Sequence, residues 1–426
     1  MFRKSVLALA LVLAAAVSVS AAVDTSVRVN DSRVRSLQVQ STADAYPLPG
    51  VPAMLLGDDM NGIVVSFDIL AEDRDYLRYD LIHCNADWQP SSLAYVEYLD
   101  GFNEGIVPDG EFSQATNVHY LHYSIAIPNG DMRPLVSGNY LLRVYSEDKS
   151  GDEPLLQCRF AVTEQTVDIS PMVTSRTDVD YNRSHQQLGI MLDTRRSDVR
   201  DPFADLTVTV SQNGRTDNAV TLQRPLRVSG TRSYYEHDPR LIFKAGNEYR
   251  RFETVSVHNP NMGIDAIEWI SPYYHAFVQT DGSRAGESYH YDETLNGAYV
   301  VREYNSQPQD WPTAADYLVT HFTLDYPELP AHDIYIDGDF VQRRFGPESR
   351  MSYNPETRRY EKALLLKQGA YSYQYLVVPK GQATGRTDIV EGDKYETRNR
   401  YNIYVYCRRP GDRYDRLVGV SRIMAN

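Results

Sequence analysis

The chain is 426 residues long, carries 43 Lys and Arg against 57 Asp and Glu for a formal charge of −14, and is 42% hydrophobic. That length predicts about three domains, and the apolar share excludes a disordered or collagen-like chain. The acidic balance excludes nucleic acid as the main partner, because neutralising phosphates takes a clustered basic surface.

Arg3 and Lys4 precede an apolar run at 5–17 and the small residues Ser20-Ala21-Ala22. This is the pattern of an export signal over residues 1–22, with Val23 the expected mature start. The run is short for a bilayer span, and no Cys directly follows it to accept a lipid. Loss of Arg3 and Lys4 leaves 41 basic against 57 acidic residues, a mature charge of −16. No later run approaches the ~18 consecutive apolar residues of a spanning helix. An exported, soluble protein with no direct membrane span is expected.

Short alternating runs follow, in keeping with 32 Tyr, 22 Pro and 25 Gly. Ile63-Val64-Val65-Ser66-Phe67-Asp68-Ile69 comes first, then Arg78-Tyr79-Asp80-Leu81-Ile82, 118–127, 140–145 and 155–162. Turn signals such as Pro128-Asn129-Gly130 separate them. Residues 24–165 therefore read as one antiparallel β-sandwich domain. The polar stretch 163–182, with Pro171, reads as a linker. Strand signals at 188–192, 206–210, 219–222, 253–257 and 274–278 make 166–305 a second β domain. Asn305-Ser306-Gln307-Pro308-Gln309-Asp310-Trp311-Pro312 marks the next boundary. The runs 317–324, 333–336, 360–366, 371–378 and 401–406 make 313–426 a third. The expected class is all-β, tandem antiparallel sandwiches with no long helix after the export signal.

Catalytic signatures are missing: the sequence has no HExxH, GxSxG, Walker-type GxxxxGK[ST] or GxGxxG. His119 and His122 have a spacing that would share one face of a helix. They lie in an alternating run, where side chains three apart point to opposite sides of a sheet, so ordinary sheet histidines are expected. Asp337-Gly338-Asp339 reads as a strand-to-strand turn with a permissive glycine. Tyr371, Tyr373 and Tyr375 share one strand face and read as cross-strand packing, the alternative being a sugar platform. The three cysteines are Cys84, Cys158 and Cys407, with no CxxC. An exported compartment permits a Cys84–Cys158 disulfide, while the apolar run around each also suits a buried thiol. No catalytic, cofactor-binding or metal-ligating residue is assigned, no cofactor is expected, and nothing argues for an enzyme.

Longer runs carry a resemblance. His83-Cys84-Asn85-Ala86-Asp87-Trp88 is followed by Glu97-Tyr98-Leu99-Asp100-Gly101-Phe102-Asn103-Glu104, His122-Tyr123 and Ser137-Gly138-Asn139-Tyr140. Gly246-Asn247-Glu248-Tyr249-Arg250-Arg251-Phe252, Asn296-Gly297-Ala298-Tyr299, Tyr395-Glu396-Thr397-Arg398-Asn399 and Arg413-Tyr414-Asp415-Arg416-Leu417-Val418-Gly419 continue it. Together they resemble the plug protein family of the type IX secretion system of Bacteroidetes, through nearly all of the mature chain. The resemblance implies a non-enzymatic periplasmic protein that docks on the outer-membrane translocon barrel and closes its periplasmic mouth. It carries over no contact residue.

The third domain is also similar to the early-set, immunoglobulin-like sandwich of glycogen-binding modules. Ile334-Tyr335-Ile336-Asp337-Gly338-Asp339-Phe340, Met351-Ser352-Tyr353-Asn354 and Lys367-Gln368-Gly369 carry that likeness. It implies, as the alternative function, a periplasmic or surface carbohydrate-binding protein. The Trp usual in sugar-binding members is missing between Phe340 and Met351, where Phe345 is the only aromatic. Carbohydrate is therefore not the expected partner.

Overall fold

In the computed structural model, which describes residues 24–147 and 153–425, the alternating runs are strands. Ile63–Ile69 lies antiparallel between Val34–Ser41 and Leu121–Ile127. Its Ile63, Val65 and Phe67 are fully buried, as a period of two requires when one face meets a core. A second sheet sets Gly138–Ser146 between Leu77–Cys84 and Leu156–Thr163. Both sheets contribute to a first hydrophobic core drawn from residues 34–162. Among the described residues the α-helices are Tyr95–Tyr98, Pro202–Asp205 and Trp311–Ala314, each four residues long. The architecture is all-β. The expected export signal, 1–22, lies outside the described residues.

The rest of the chain divides differently from the expected boundary at 305–313. Arg400–Cys407 pairs along Leu206–Gln212 and then with Arg416–Met424. These strands share a second core with residues 167–243. Between the two halves of that core, residues 252–390 build a third. One of its sheets holds Ile264–Ile270, Tyr273–Val278, Tyr317–Asp325 and Arg359–Lys367. The other sets Gly369–Pro379 beside Arg250–Glu253 and His332–Asp337. The third body is thus an insertion within the second, and 305–312 connects two strands of one core. Alternation identifies a strand but says nothing about its partner, and here the partner of residues 400–407 is almost two hundred positions away.

The expected linker at 163–182 also contains a strand, Asp168–Thr174, antiparallel to His185–Asp193. It is an edge strand, the position where Pro171 is tolerated because no ladder donor is needed on the open side.

Candidate functional site

The residues of the long first-domain motif meet the C-terminal strands at a seam between the first and second cores. His83 is buried, with Nδ1 2.8 Å from Ser91 Oγ and Nε2 3.1 Å from the Ser137 carbonyl oxygen. Nε2 must donate to that carbonyl, so Nδ1 accepts from the Ser91 hydroxyl. The Tyr140 and Tyr414 rings lie nearly perpendicular to it, with centroids 5.1 and 5.2 Å away. Burial pulls the His83 imidazole down to about 4. Gly138 has φ +142°, and a Cβ there would stand 2.4 Å from His83 Nε2, so only glycine fits.

Hydrogen bonds knit the same seam. Asp415 accepts from the Ala86 amide at 2.9 Å and its own amide donates to Asn85 Oδ1 at 3.2 Å. Asn139 donates to the Asn85 carbonyl and accepts from the Tyr406 hydroxyl, both at 2.9 Å. Arg413 reaches Glu97 at 2.5 Å and the Ser92 carbonyl at 2.6 Å. The sequence motifs from both ends of the chain therefore converge on one interface.

A second seam joins the first core to the third, and it buries charge. Asp68 and Lys367 are both fully buried, with Nζ 2.5 Å from Oδ2. Asp68 also accepts from Tyr317 Oη at 2.6 Å and lies 2.7 Å from His122 Nδ1. Lys367 donates to the Pro312 carbonyl at 2.5 Å and stands 4.1 Å from the Tyr120 ring centroid. Burial alone would raise the Asp68 carboxyl, but Lys367 and His122 outweigh it and hold the group below the ordinary carboxylate range. Beside it, Asp316 accepts the amides of Asn117 and Val118 at 2.7 and 3.0 Å.

The other sequence candidates separate. His119 is exposed beside Glu72 at 2.9 Å while His122 faces Asp68, so the structure does not bring the two together. Among the described residues no group of three or more His, Cys, Asp or Glu is placed to hold a metal ion. Asp337-Gly338-Asp339 is not the expected strand-to-strand turn. Gly338 is extended at φ 173° and leads into the 3-10 turn Asp339–Val341. Its glycine is required by crowding, since a Cβ would lie 2.5 Å from the Phe340 ring. Asp337 accepts from Gln374 at 2.9 Å and Tyr249 at 3.2 Å, and Asp339 binds Arg343 at 2.6 Å.

Tyr371, Tyr373 and Tyr375 are 2%, 1% and 0% exposed and belong to the third core. The sugar platform on which the carbohydrate alternative depended is therefore not on the surface. Cys84, Cys158 and Cys407 are free and buried. Cys84 pairs with Asn139 and Cys158 with Leu142 on the strand between them. They are therefore two strand spacings apart and on opposite faces, which no disulfide can bridge. Burial pushes the Cys84 thiol up to about 12 and the Cys407 thiol to about 11, so both are inert at neutral pH.

Three cores, closed against one another by motif residues, define an all-β scaffold protein in which the distinctive side chains serve joints. Residues 34–164 match the family model described as type 9 secretion system plug protein 1st domain. A crystal structure at 2.30 Å of a hypothetical protein from Parabacteroides merdae ATCC 43184 is similar to this chain at 38% identity and TM-score 0.90, over 94% of this chain and 99% of that one. Escherichia coli alpha-2-macroglobulin activated by porcine elastase aligns over 92% of this chain and 31% of that one at 9% identity, and its TM-score of 0.15 carries no argument. No curated protein matches. Residues 34–164 belong to the type 9 secretion system plug protein first-domain family.

Proposed function

We propose that the protein is a non-enzymatic periplasmic plug that docks on the outer-membrane translocon barrel of the type 9 secretion system and closes its periplasmic mouth. The match of residues 34–164 to the plug protein's first domain carries this reading. The two seams support it, because a gate must hold its shape against the pore, and joints that bury polar networks resist relative motion. Export by residues 1–22 would deliver the chain to the right compartment. Among the described residues no helix is long and apolar enough to cross a membrane, so outer-membrane association would come through the partner. The matched domain also exposes Phe102 and Ile106, at 78% and 77%. Ile106 lies on an edge strand opposite Arg78. Large apolar side chains left in water at a sheet edge suit a protein interface.

Affinity recovery of the tagged protein from its native host, after crosslinking in mild detergent, tests the reading. A giant outer-membrane barrel should be the dominant partner by mass spectrometry, and Phe102→Ser with Ile106→Ser should reduce its recovery by at least about tenfold. Recovery of no such barrel would overturn the proposal.

A further inference from the structure

A cavity of about 410 Å³ opens where all three cores meet. The motif residue Trp88 lies in its wall with φ +65°, a conformation in which a bulky L-residue is strained and which persists only where surroundings enforce it. Arg159 stacks its guanidinium on the Trp88 ring, 4.2 Å from the centroid. Its Nε donates to the Thr25 carbonyl at 2.7 Å and one terminal nitrogen to Thr25 Oγ1 at 3.3 Å. No carboxylate among the described residues forms an ion pair with it, and burial pulls it down to about 10.

Most other charges in the wall are paired, and the remaining surface is apolar with hydroxyl and amide side chains among it. Arg343 is paired with Asp337 and Asp339, and Arg215 with Asp217. Asp24, the carboxylate whose charge acts on Arg159, is paired with Arg28 at 3.1 Å. Arg344 also lines the space, and Asp87 is the acidic residue there without an arginine partner. Leu37, Leu48 and Val51 supply apolar wall, with Tyr404 and Tyr406. Both tyrosine hydroxyls are occupied, by the Val51 carbonyl and by Asn139, so these side chains offer mainly ring surface. A half-open, largely apolar cavity of this size with one half-buried cation that lacks a carboxylate partner is the composition of a small-molecule site.

We propose that this three-way cavity binds a small organic anion with an apolar body, its charged group on Arg159 and its body against Trp88 and the apolar wall. The inference is independent of the plug reading. Carboxylate and phosphate headgroups share the required chemistry, and the test separates them.

Isothermal titration of the purified chain uses octanoate, octyl phosphate, octanol and inorganic phosphate. At least one of the two octyl anions should bind saturably at about one per chain, octanol at least about tenfold more weakly, and inorganic phosphate not at all. The tighter of the two anions identifies the headgroup. Arg159→Gln should weaken that anion by at least about tenfold, and Arg159→Lys should restore most of the loss. Leu48→Trp, which fills the cavity and leaves Arg159 in place, should abolish binding; it decides the matter if Arg159→Gln fails to fold. Failure of both octyl anions to saturate, octanol binding as tightly as octanoate, phosphate binding alone, or unchanged affinity in Leu48→Trp would each overturn the proposal.

Discussion

The joint between the first and second cores and the joint between the first and third solve one problem by different means. The first uses backbone groups, amides, one neutral imidazole and three ion pairs that all keep some contact with water, Arg413–Glu97, Arg416–Glu164 and Arg422–Asp44. The second places a carboxylate and an ammonium wholly out of water and surrounds them with a phenol, an imidazole and a carbonyl. Amide networks and partly hydrated ion pairs lose less when one member is trimmed than a wholly buried ion does when it is stripped of its partner. The third body should therefore be held in an all-or-none manner, and the second by many small contributions.

The sharpest way to break this contrast is Lys367→Ala. It leaves Asp68 buried without its cation, and about 3–5 kcal/mol of stability should disappear from the urea midpoint. Asp68→Leu combined with Lys367→Met should cost less than either single change, because no charge is then stranded. Acid should act on the other joint. The folded His83 value of about 4 lies below the ordinary 6.5, so the unfolded chain takes up its proton first. The His83 contribution is complete above about pH 6.5 and falls away towards pH 4, by about 3 kcal/mol. Urea midpoints followed over that range should slope downward, and His83→Gln should flatten the slope. Gly138→Ala forces a side chain into φ +142° and against His83, and should cost about 1–3 kcal/mol in the same assay. Arg413→Ala, at the exposed pair, should change the midpoint by less than about 1 kcal/mol. A large loss there would mean that the two joints are not as different as their burial suggests.

Much of this was legible in the sequence, for local reasons. Strands such as Ile63–Ile69 announce themselves because one face meets a core and the other does not. The division of the chain was not legible, since residues 400–424 return to pair with Leu206–Gln212 across the whole inserted third body. The tyrosine stripe at 371–375 was legible as one face, but a period of two does not say whether that face looks outward. Resemblance picked out His83, Trp88, Gly138 and Asp415, yet their meeting at one joint is a property of the pairing. The pairing of Asp68 with Lys367 was not foreseen although a signal existed. Asp68 is the one charge in Ile63–Ile69, and Lys367 directly follows Leu364-Leu365-Leu366; a charge in such apolar company reaches the interior only with a partner.

The insertion of the third body has a mechanical meaning. The described chain begins beside Leu156–Thr163 in the first core and ends on Arg416–Met424 in the second. Tension applied between residues 24 and 425 therefore runs along the covalent chain through the first joint. The third body hangs from two adjacent stalks, 244–251 and 391–399, which enter and leave it side by side: Asn247 donates to the Glu391 carbonyl, and the Lys394 amide to that of Gly246. Load on the termini would strain the joint between the first and second cores before the one built on Asp68 and Lys367.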